Sequence, residues 1–361
     1  MQLQARPSSL ARLISCPGSL RACAMAPAWM DEAGDNFVRD EGTACHHFAH
    51  QTAIGTLPSL GDVAPNGIAF DTDMRDAVAL YLGTIDSYKL AHPYYEQTIA
   101  IPGVGSGTPD LMGYDGSYTI YIADLKYGYR TVDVWPNYQL IAYAMGAADC
   151  YCVPFAECTF HFSIVQPRRW HTAGPVRSAM VTGAQMLPYV EEIHSAVAAA
   201  NQANAPLTPG KHCDYCPARA MCPALRQTVT DTVCAMPEAL PFEYAELELQ
   251  FLRKHSEHVN AYISGLEAQI EHGLRAGKRS KHFEMRAKTG SKVWANPDVI
   301  RVLAQLSGVK IDKQPELITP TQAIKAGIPA ELVNMYSTRT PGKVTLENVD
   351  PSRWSRIFQG N

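Results

Sequence analysis

The sequence predicts an α/β fold, a mixed central sheet flanked by helices over residues 1–235, followed by a small α+β appendage over residues 236–361. Three observations predict it. Residues up to about 95 place apolar side chains at helical spacing. From about 95 to 165 the pattern becomes one of short, turn-bounded strands. A helix-patterned stretch of small and apolar residues, 135–148, separates those strands from another, as a helix crossing over one sheet requires.

Taken in order, Ser8 or Ser9 is placed to cap a first short helix. EGTACHHFAHQTA (41–53) opens a second helix and DTDMRDAVALYLGTIDSYKL (71–90) forms a third, with Pro58, Gly61, Pro65 and Gly67 marking the loop between them. EQTIAIP, TPDLMGYD and YTIYIADLKYG read as a meander joined by Gly-rich or Asp-Gly turns. AECTFHFSIVQP is a further strand, and 176–202 reads as one long helix leading into the Pro-rich segment APLTPGKHCDYCPARAMCPAL. Beyond about residue 235, ELELQFLRKHSEHVNAYISGLEAQIEHGLRAG has the periodicity of a long amphipathic helix. SKHFEMRAKTGSKVW is expected to form a hairpin turning at Thr289-Gly290, and PDVIRVLAQLSG and TPTQAIKAGI to form two more helices.

The chain has 361 residues, 46% of them hydrophobic and 18% charged, as in an ordinary globular protein. No stretch approaches the roughly 18 apolar residues of a membrane span, and the N-terminus lacks the apolar core of a signal peptide, so a cytoplasmic protein with no membrane partner is expected. A net charge of -4 excludes a general polycation. Contact with nucleic acid would rest on a local patch, and Lys278, Arg279, Lys281, Lys288 and Lys292 supply one, with Glu284 the acid among them. A solvated hairpin surface accounts for the same charges. Ten cysteines without a secretory signal point to metal ligation rather than disulfides.

Asp124 and Lys126 are two apart in a strand pattern, so both side chains project from one face of the sheet. A carboxylate there can hold a hard divalent cation, while the neighbouring ammonium can orient or help deprotonate water or stabilise charge on a phosphate. Most isolated Asp-x-Lys pairs are surface ion pairs. Asp110 adds weight because it begins the preceding strand and reaches the same end of the sheet. His46, on a helix, offers an imidazole suited to magnesium or manganese if that helix packs over the strands. Gln139 and Tyr143 are four apart on the following helix and share a face.

The ordered set G-T-x-x-H, P-D, D-L-K and Q-x-x-x-Y resembles the RecB-like branch of the PD-(D/E)XK nuclease superfamily. The resemblance implies a restriction-endonuclease-like core and a metal-dependent DNA nuclease. It implies that His46, Asp110, Asp124 and the carbonyl of Leu125 ligate Mg2+ or Mn2+, that Lys126 positions water, and that Gln139 and Tyr143 support the site or the DNA. The motif has Asp124 where many relatives have Glu, and His50 where relatives often have an acid one helical turn after the His.

Cys213, Cys216 and Cys222 form C-x2-C-x5-C, a spacing that lets thiolates converge on one centre. Members of the same nuclease branch carry one cysteine before the core and three after it around a [4Fe-4S] cluster, which makes Cys16 the fourth ligand by resemblance and Cys23 the reserve. Zn2+ is the alternative occupant of four thiolates. Such a centre would close a loop of about 200 residues and act as a structural clasp.

The segments SSLARLISCPGSLRAC and RAGKRSKHFEMRAKTGSKVW are also similar to an uncharacterised phage and prophage family with this core. That likeness implies an exonuclease of recombination or replication in a bacterial host cell, with DNA and a phage single-strand annealing or binding protein as partners. A homo-oligomer is compatible with the superfamily. Two other classes stand beside this expectation: a non-catalytic iron-sulfur DNA-binding or scaffold protein, and a redox-sensing metal-sulfur protein.

Overall fold

The computed structural model describes residues 3–27, 37–169, 171–234, 242–287, 292–294, 297–309, 319–325, 327–339 and 344–348. The chain divides into two compact units, Met1–Ala268 and Gln269–Asn361.

The first unit opens with α1 (Leu10–Ser15) and α2 (Ser19–Met25). Between them, Cys16-Pro17-Gly18 breaks the helix, and Gly18 fits where no other residue does. A Cβ on Gly18 would lie 2.7 Å from the carbonyl oxygen of Ala205 and 2.8 Å from that of Pro206. Two helices follow, α3 (Phe37–Ala53) and α4 (Thr72–Asp86). Asp71 caps α4 by accepting the Met74 N–H at 2.7 Å.

The strands are β1 (Tyr94–Tyr95), β2 (Ile99–Ile101), β3 (Gly105–Gly107), β4 (Leu111–Tyr114) and β5 (Thr119–Leu125). After the crossover helix α5 (Tyr138–Cys150) come β6 (Thr159–Val165), β7 (Val176–Thr182) and α6 (Gly183–Ala200). The sheet order is β1-β4-β5-β6-β7, with β5 and β6 parallel and the other neighbours antiparallel. A parallel pair needs a long crossover, and α5, buried continuously from Leu140 to Ala148, provides it. The mixed sheet is therefore covered on both faces. Ile120 and Ile122 of β5 pack with α5, α1 and α6, while Ala123 and Leu125 pack with α3 and α4.

Two local expectations are corrected. EQTIAIP does not join a meander: β2 pairs with β3 in a separate two-stranded ribbon, and Tyr94–Tyr95 pairs with β4. VRSAMVT is a strand, not the start of a helix, because its whole length finds a ladder on β6, from Thr159↔Thr182 to Val165↔Val176. The helix begins only where Thr182 Oγ1 accepts the Gln185 N–H and the Gln185 side chain returns to the Thr182 N–H, a reciprocal cap.

After α7 (Pro223–Cys234), helix α8 (Phe242–Arg275) contains the division between the units, which was expected at 235/236. The second unit holds β8 (Phe283–Ala287), β9 (Lys292–Trp294), α9 (Pro297–Leu306), α10 (Pro320–Lys325), α11 (Ala330–Met335), β10 (Ser337–Arg339) and β11 (Val344–Asn348). Its core is Ile300, Ala304, Ala323, Ile328 and Val333. The expected hairpin about Thr289-Gly290 is not the pairing adopted: β8 pairs with β11 and β9 with β10. Thr289 and Gly290 lie outside the described residues. Among the described residues no helix is long and apolar enough to cross a membrane.

Candidate active site

Strand alternation places Asp124 on the α5 side of β5, after Ile120 and Ile122, where it is 2% exposed. Lys126 Nζ lies 2.8 Å from Asp124 Oδ2 and donates to Oδ1 at 3.1 Å. Asn137 caps α5 by accepting the N–H groups of Gln139 and Leu140, which sets Gln139 in the first turn beside the strand end. Gln139 Nε2 lies 3.2 Å from both Asp124 Oδ1 and Tyr143 Oη, while its Oε1 accepts from Lys126 Nζ at 3.5 Å. Asp124, Lys126, Gln139 and Tyr143 are thus one hydrogen-bonded group. Asp124 Oδ2 is buried and, among the described residues, receives no directed hydrogen bond despite the nearby ammonium.

Asp110 stands one residue before β4, and the register Leu111↔Ala123 sets it opposite Asp124. Its Oδ2 accepts the Leu125 N–H at 2.7 Å, and its Oδ1 lies 3.2 Å from His46 Nδ1. His46 comes from α3 on the other side of the sheet end, and the same nitrogen is 3.8 Å from Glu96 Oε1. His46, Glu96 and Asp110 have donor atoms within 4.8 Å of one another, a mixed nitrogen and oxygen set that suits a hard or borderline divalent cation.

Burial opposes charge throughout the site, yet ion pairing outweighs it at three of the four groups. Burial pushes His46 down, but the charge and hydrogen bond of Asp110, with Glu96 and Asp124, carry its pKa up to about 10. Burial pushes Asp110 up, yet His46 and Lys126 hold it below the usual carboxylate value. At Asp124 burial wins and the pKa is raised, even with Lys126 beside it. Burial works against Lys126, but Asp124 and Asp110 raise its pKa, so it stays an ammonium.

The structure therefore brings together every residue of the expected acid-lysine constellation, with the metal-donor set drawn differently. Asp124 lies outside the set of three, held by Lys126 and Gln139, and Leu125 meets Asp110 through its N–H. Glu96 was not anticipated. It follows the two-residue strand β1 with a φ of 48°, and its N–H bonds the Asp110 carbonyl at 3.2 Å. A charged residue at a strand end, shortly before the Pro-Asp motif, was the available signal. His50 lines the same small cavity as His46, Glu96 and Asp110.

The cysteines also gather. Cys16, at the end of α1, accepts the Thr208 N–H at 3.3 Å; Cys213 accepts that of Gly210 at 3.4 Å, and Cys222 that of Leu225 at 3.5 Å. Cys23 Sγ is 3.7 Å from Cys216 Sγ, so the cluster holds five thiols rather than four. Thiols so arranged influence one another: burial, then neighbouring sulfur charge, raises Cys213 to about 11. Among the described residues no three of them come within the 4.8 Å that unites His46, Glu96 and Asp110.

Residues 4–353 match the model of a family described as "Protein of unknown function (DUF2800)". The chain belongs to that family. Among solved structures this DUF2800 protein is similar to the one titled "Crystal structure of SSO0001", at 13% identity over 62% of this chain and 87% of that one, with a TM-score of 0.28. At that score the likeness says nothing about fold or function. In the second unit of this DUF2800 member, Lys278, Arg279 and Lys281 are exposed, while Arg275 pairs with Glu271 at 2.7 Å. Lys288 lies outside the described residues, and Lys292 falls in β9.

Proposed function

We propose that this protein is a divalent-metal-dependent DNA nuclease with a PD-(D/E)XK-type, RecB-like core. The observation that carries the reading is the meeting of two carboxylates and an ammonium, Asp110, Asp124 and Lys126, at one end of a mixed sheet with His46 and Glu96 beside them. Three carboxylates, Glu96, Asp110 and Asp124, face two cationic groups, His46 and Lys126, an excess of negative charge that favours a bound cation.

The residues fit Mg2+ or Mn2+, which His46, Glu96 and Asp110 would hold. Such an ion supplies Lewis acidity toward a phosphodiester and lowers the pKa of water. The chain's own groups do the rest. Asp124 and Asp110 favour the charged form of Lys126, which suits it to stabilise negative charge on the phosphate and to orient water. Gln139 holds Asp124 and Lys126 in register from α5, and Tyr143 holds Gln139.

For the cysteines, a [4Fe-4S] cluster is the favoured occupant over Zn2+. Four sulfurs about 2.3 Å from one zinc lie roughly 3.8 Å apart, closer than these thiols converge as a group. Main-chain N–H groups aimed at Cys16, Cys213 and Cys222 suit thiolate ligands. Its role is structural, tying the N-terminal helices to the segment after α6.

The deciding experiment incubates anaerobically purified protein with end-labelled and circular DNA, single- and double-stranded, in Mg2+ or Mn2+, beside Lys126→Ala. Cleavage by the wild type alone supports the nuclease and reports whether an end is needed. No cleavage by folded protein with its metal centre intact would replace it with a non-catalytic DNA-binding role.

A further inference from the structure

The N-terminal segment and the β2–β3 ribbon enclose a groove of about 570 Å³ whose lining reaches Tyr143. That volume is ordinary for a ligand cleft, roughly 300–1,000 Å³. Its walls follow from local sequence. Ala5 is buried and its N–H donates to the Val104 carbonyl at 3.3 Å, while the Leu3 N–H donates to Asn201 Oδ1 at 2.9 Å. Residues 4–8 are thereby laid along Gly105-Ser106-Gly107. A Cβ on Gly107 would fall 2.5 Å from Pro7 Cγ and 2.9 Å from Tyr143 Cε1, so glycine there lets strand, N-terminal segment and α5 meet.

The lining is polar and lacks acids: the hydroxyl residues Ser8, Thr98, Ser106 and Thr108 accompany the guanidinium of Arg6. Arg6 is exposed and, among the described residues, has no ion-pair partner. The groove is linked to the acidic site in two ways. Thr108 is two residues before Asp110, and Tyr143 is bonded to Gln139, which is bonded to Asp124.

We infer that this groove binds the sugar-phosphate backbone of a DNA strand next to the bond to be cut, with Arg6 the residue that takes a phosphate. The inference rests on the nuclease reading. Hydroxyl donors and one unpaired guanidinium match phosphate and sugar oxygens and read no base, so the grip is independent of sequence. A chain of net charge -4 needs such a local cation to hold a polyanion beside a cluster of carboxylates.

The test is fluorescence anisotropy of a labelled single-stranded oligonucleotide with full-length protein in Ca2+ across a salt series, followed by cleavage in Mn2+. Arg6→Ala is expected to weaken binding about tenfold and to flatten the log–log salt dependence by roughly 0.7, the share of one single-strand phosphate contact. Arg6→Lys should restore the slope, with thermal midpoints of all variants unchanged. Arg6→Ala with wild-type affinity and slope overturns the groove. Wild-type protein that binds through Arg6 but does not cleave sinks the nuclease reading and leaves the groove standing; wild-type protein that binds no DNA overturns both.

Discussion

Asp110 divides its two oxygens between two tasks: Oδ2 accepts the Leu125 N–H at 2.7 Å, and Oδ1 faces His46 Nδ1 at 3.2 Å. The first ties the carboxylate to the central strand, and the second turns it toward the helix that closes the site. Replacing it by Asn keeps an acceptor for Leu125 and removes the charge. Asp110→Asn is therefore expected to fold, to bind Mn2+ at least about tenfold more weakly by calorimetry, and to cleave DNA on the order of 10²-fold more slowly. Full metal affinity in this variant would remove Asp110 from the ligand set.

Glu96 makes a sharper test, because only the folded arrangement nominates it. Glu96→Gln should lower Mn2+ affinity by roughly tenfold while leaving the thermal midpoint unchanged, since among the described residues its carboxylate bonds no main-chain group. Unchanged affinity would mean that its closeness to His46 is incidental.

The pair Glu41–Arg168 anchors the α3 turn that carries His46. Arg168 Nη1 and Nη2 reach the two carboxylate oxygens at 2.6 and 2.9 Å, and the guanidinium lies 3.9 Å from the Tyr127 ring centre. Breaking a pair this well buried by Glu41→Ala should cost about 3 kcal/mol in denaturant unfolding. The double variant with Arg168→Ala should lose less than the sum of the single losses; simple additivity would show that the two residues are not coupled.

His161 supplies a pH dependence remote from the metal-donor set. Burial pushes its pKa down, and among the described residues Nδ1 has no hydrogen-bond partner between the rings of Tyr88 and Tyr121. With the folded pKa below the unfolded one, the unfolded chain takes up the proton first as pH falls. Stability is then full above the unfolded value of about 6.5 and declines below it. Urea midpoints from pH 7.5 to 5 should fall, and His161→Phe, which keeps an aromatic ring there, should remove part of the fall. An identical profile in the variant would place the acid sensitivity elsewhere.

In the clasp, Cys16 accepts the Thr208 N–H and is the fourth ligand of this reading, whereas Cys23, which is bonded by the Ala218 main chain, lies 3.7 Å from Cys216 Sγ. Cys16→Ser should lose the iron or zinc content measured after anaerobic reconstitution, and Cys23→Ser should keep it. The reverse result would make Cys23 the fourth ligand.

What was legible in the sequence was whatever a short period encodes. Asp124 and Lys126 share a face because strands alternate, and Gln139 and Tyr143 share one because helices repeat near four residues; both relations are present in the fold. The nearness of Cys213, Cys216 and Cys222 to one another was legible from their spacing. Long-range pairings were not. Nothing local says that Phe283–Ala287 will pair with Val344–Asn348 rather than turn back at Thr289-Gly290. VRSAMVT reads as helix because it runs into a helix with no turn between, the boundary being the single cap at Thr182. Glu96 was hidden for a third reason: a two-residue strand and a positive φ have no periodicity to read.

The join between Cys16 and Thr208, 192 residues apart, also sets an order in time. A ribosome releases α1 and α2 before the main chain that seats the turn between them, at Ala205, Pro206 and Thr208, which emerges only after the whole sheet. Until then the turn at Cys16-Pro17-Gly18 lacks its seat, and Cys16 and Cys23 lack the segment that carries the other three thiols. A chain that stalls before residue 205 would carry these two thiols without their partners, which makes completion of the segment after α6 the event that closes the clasp.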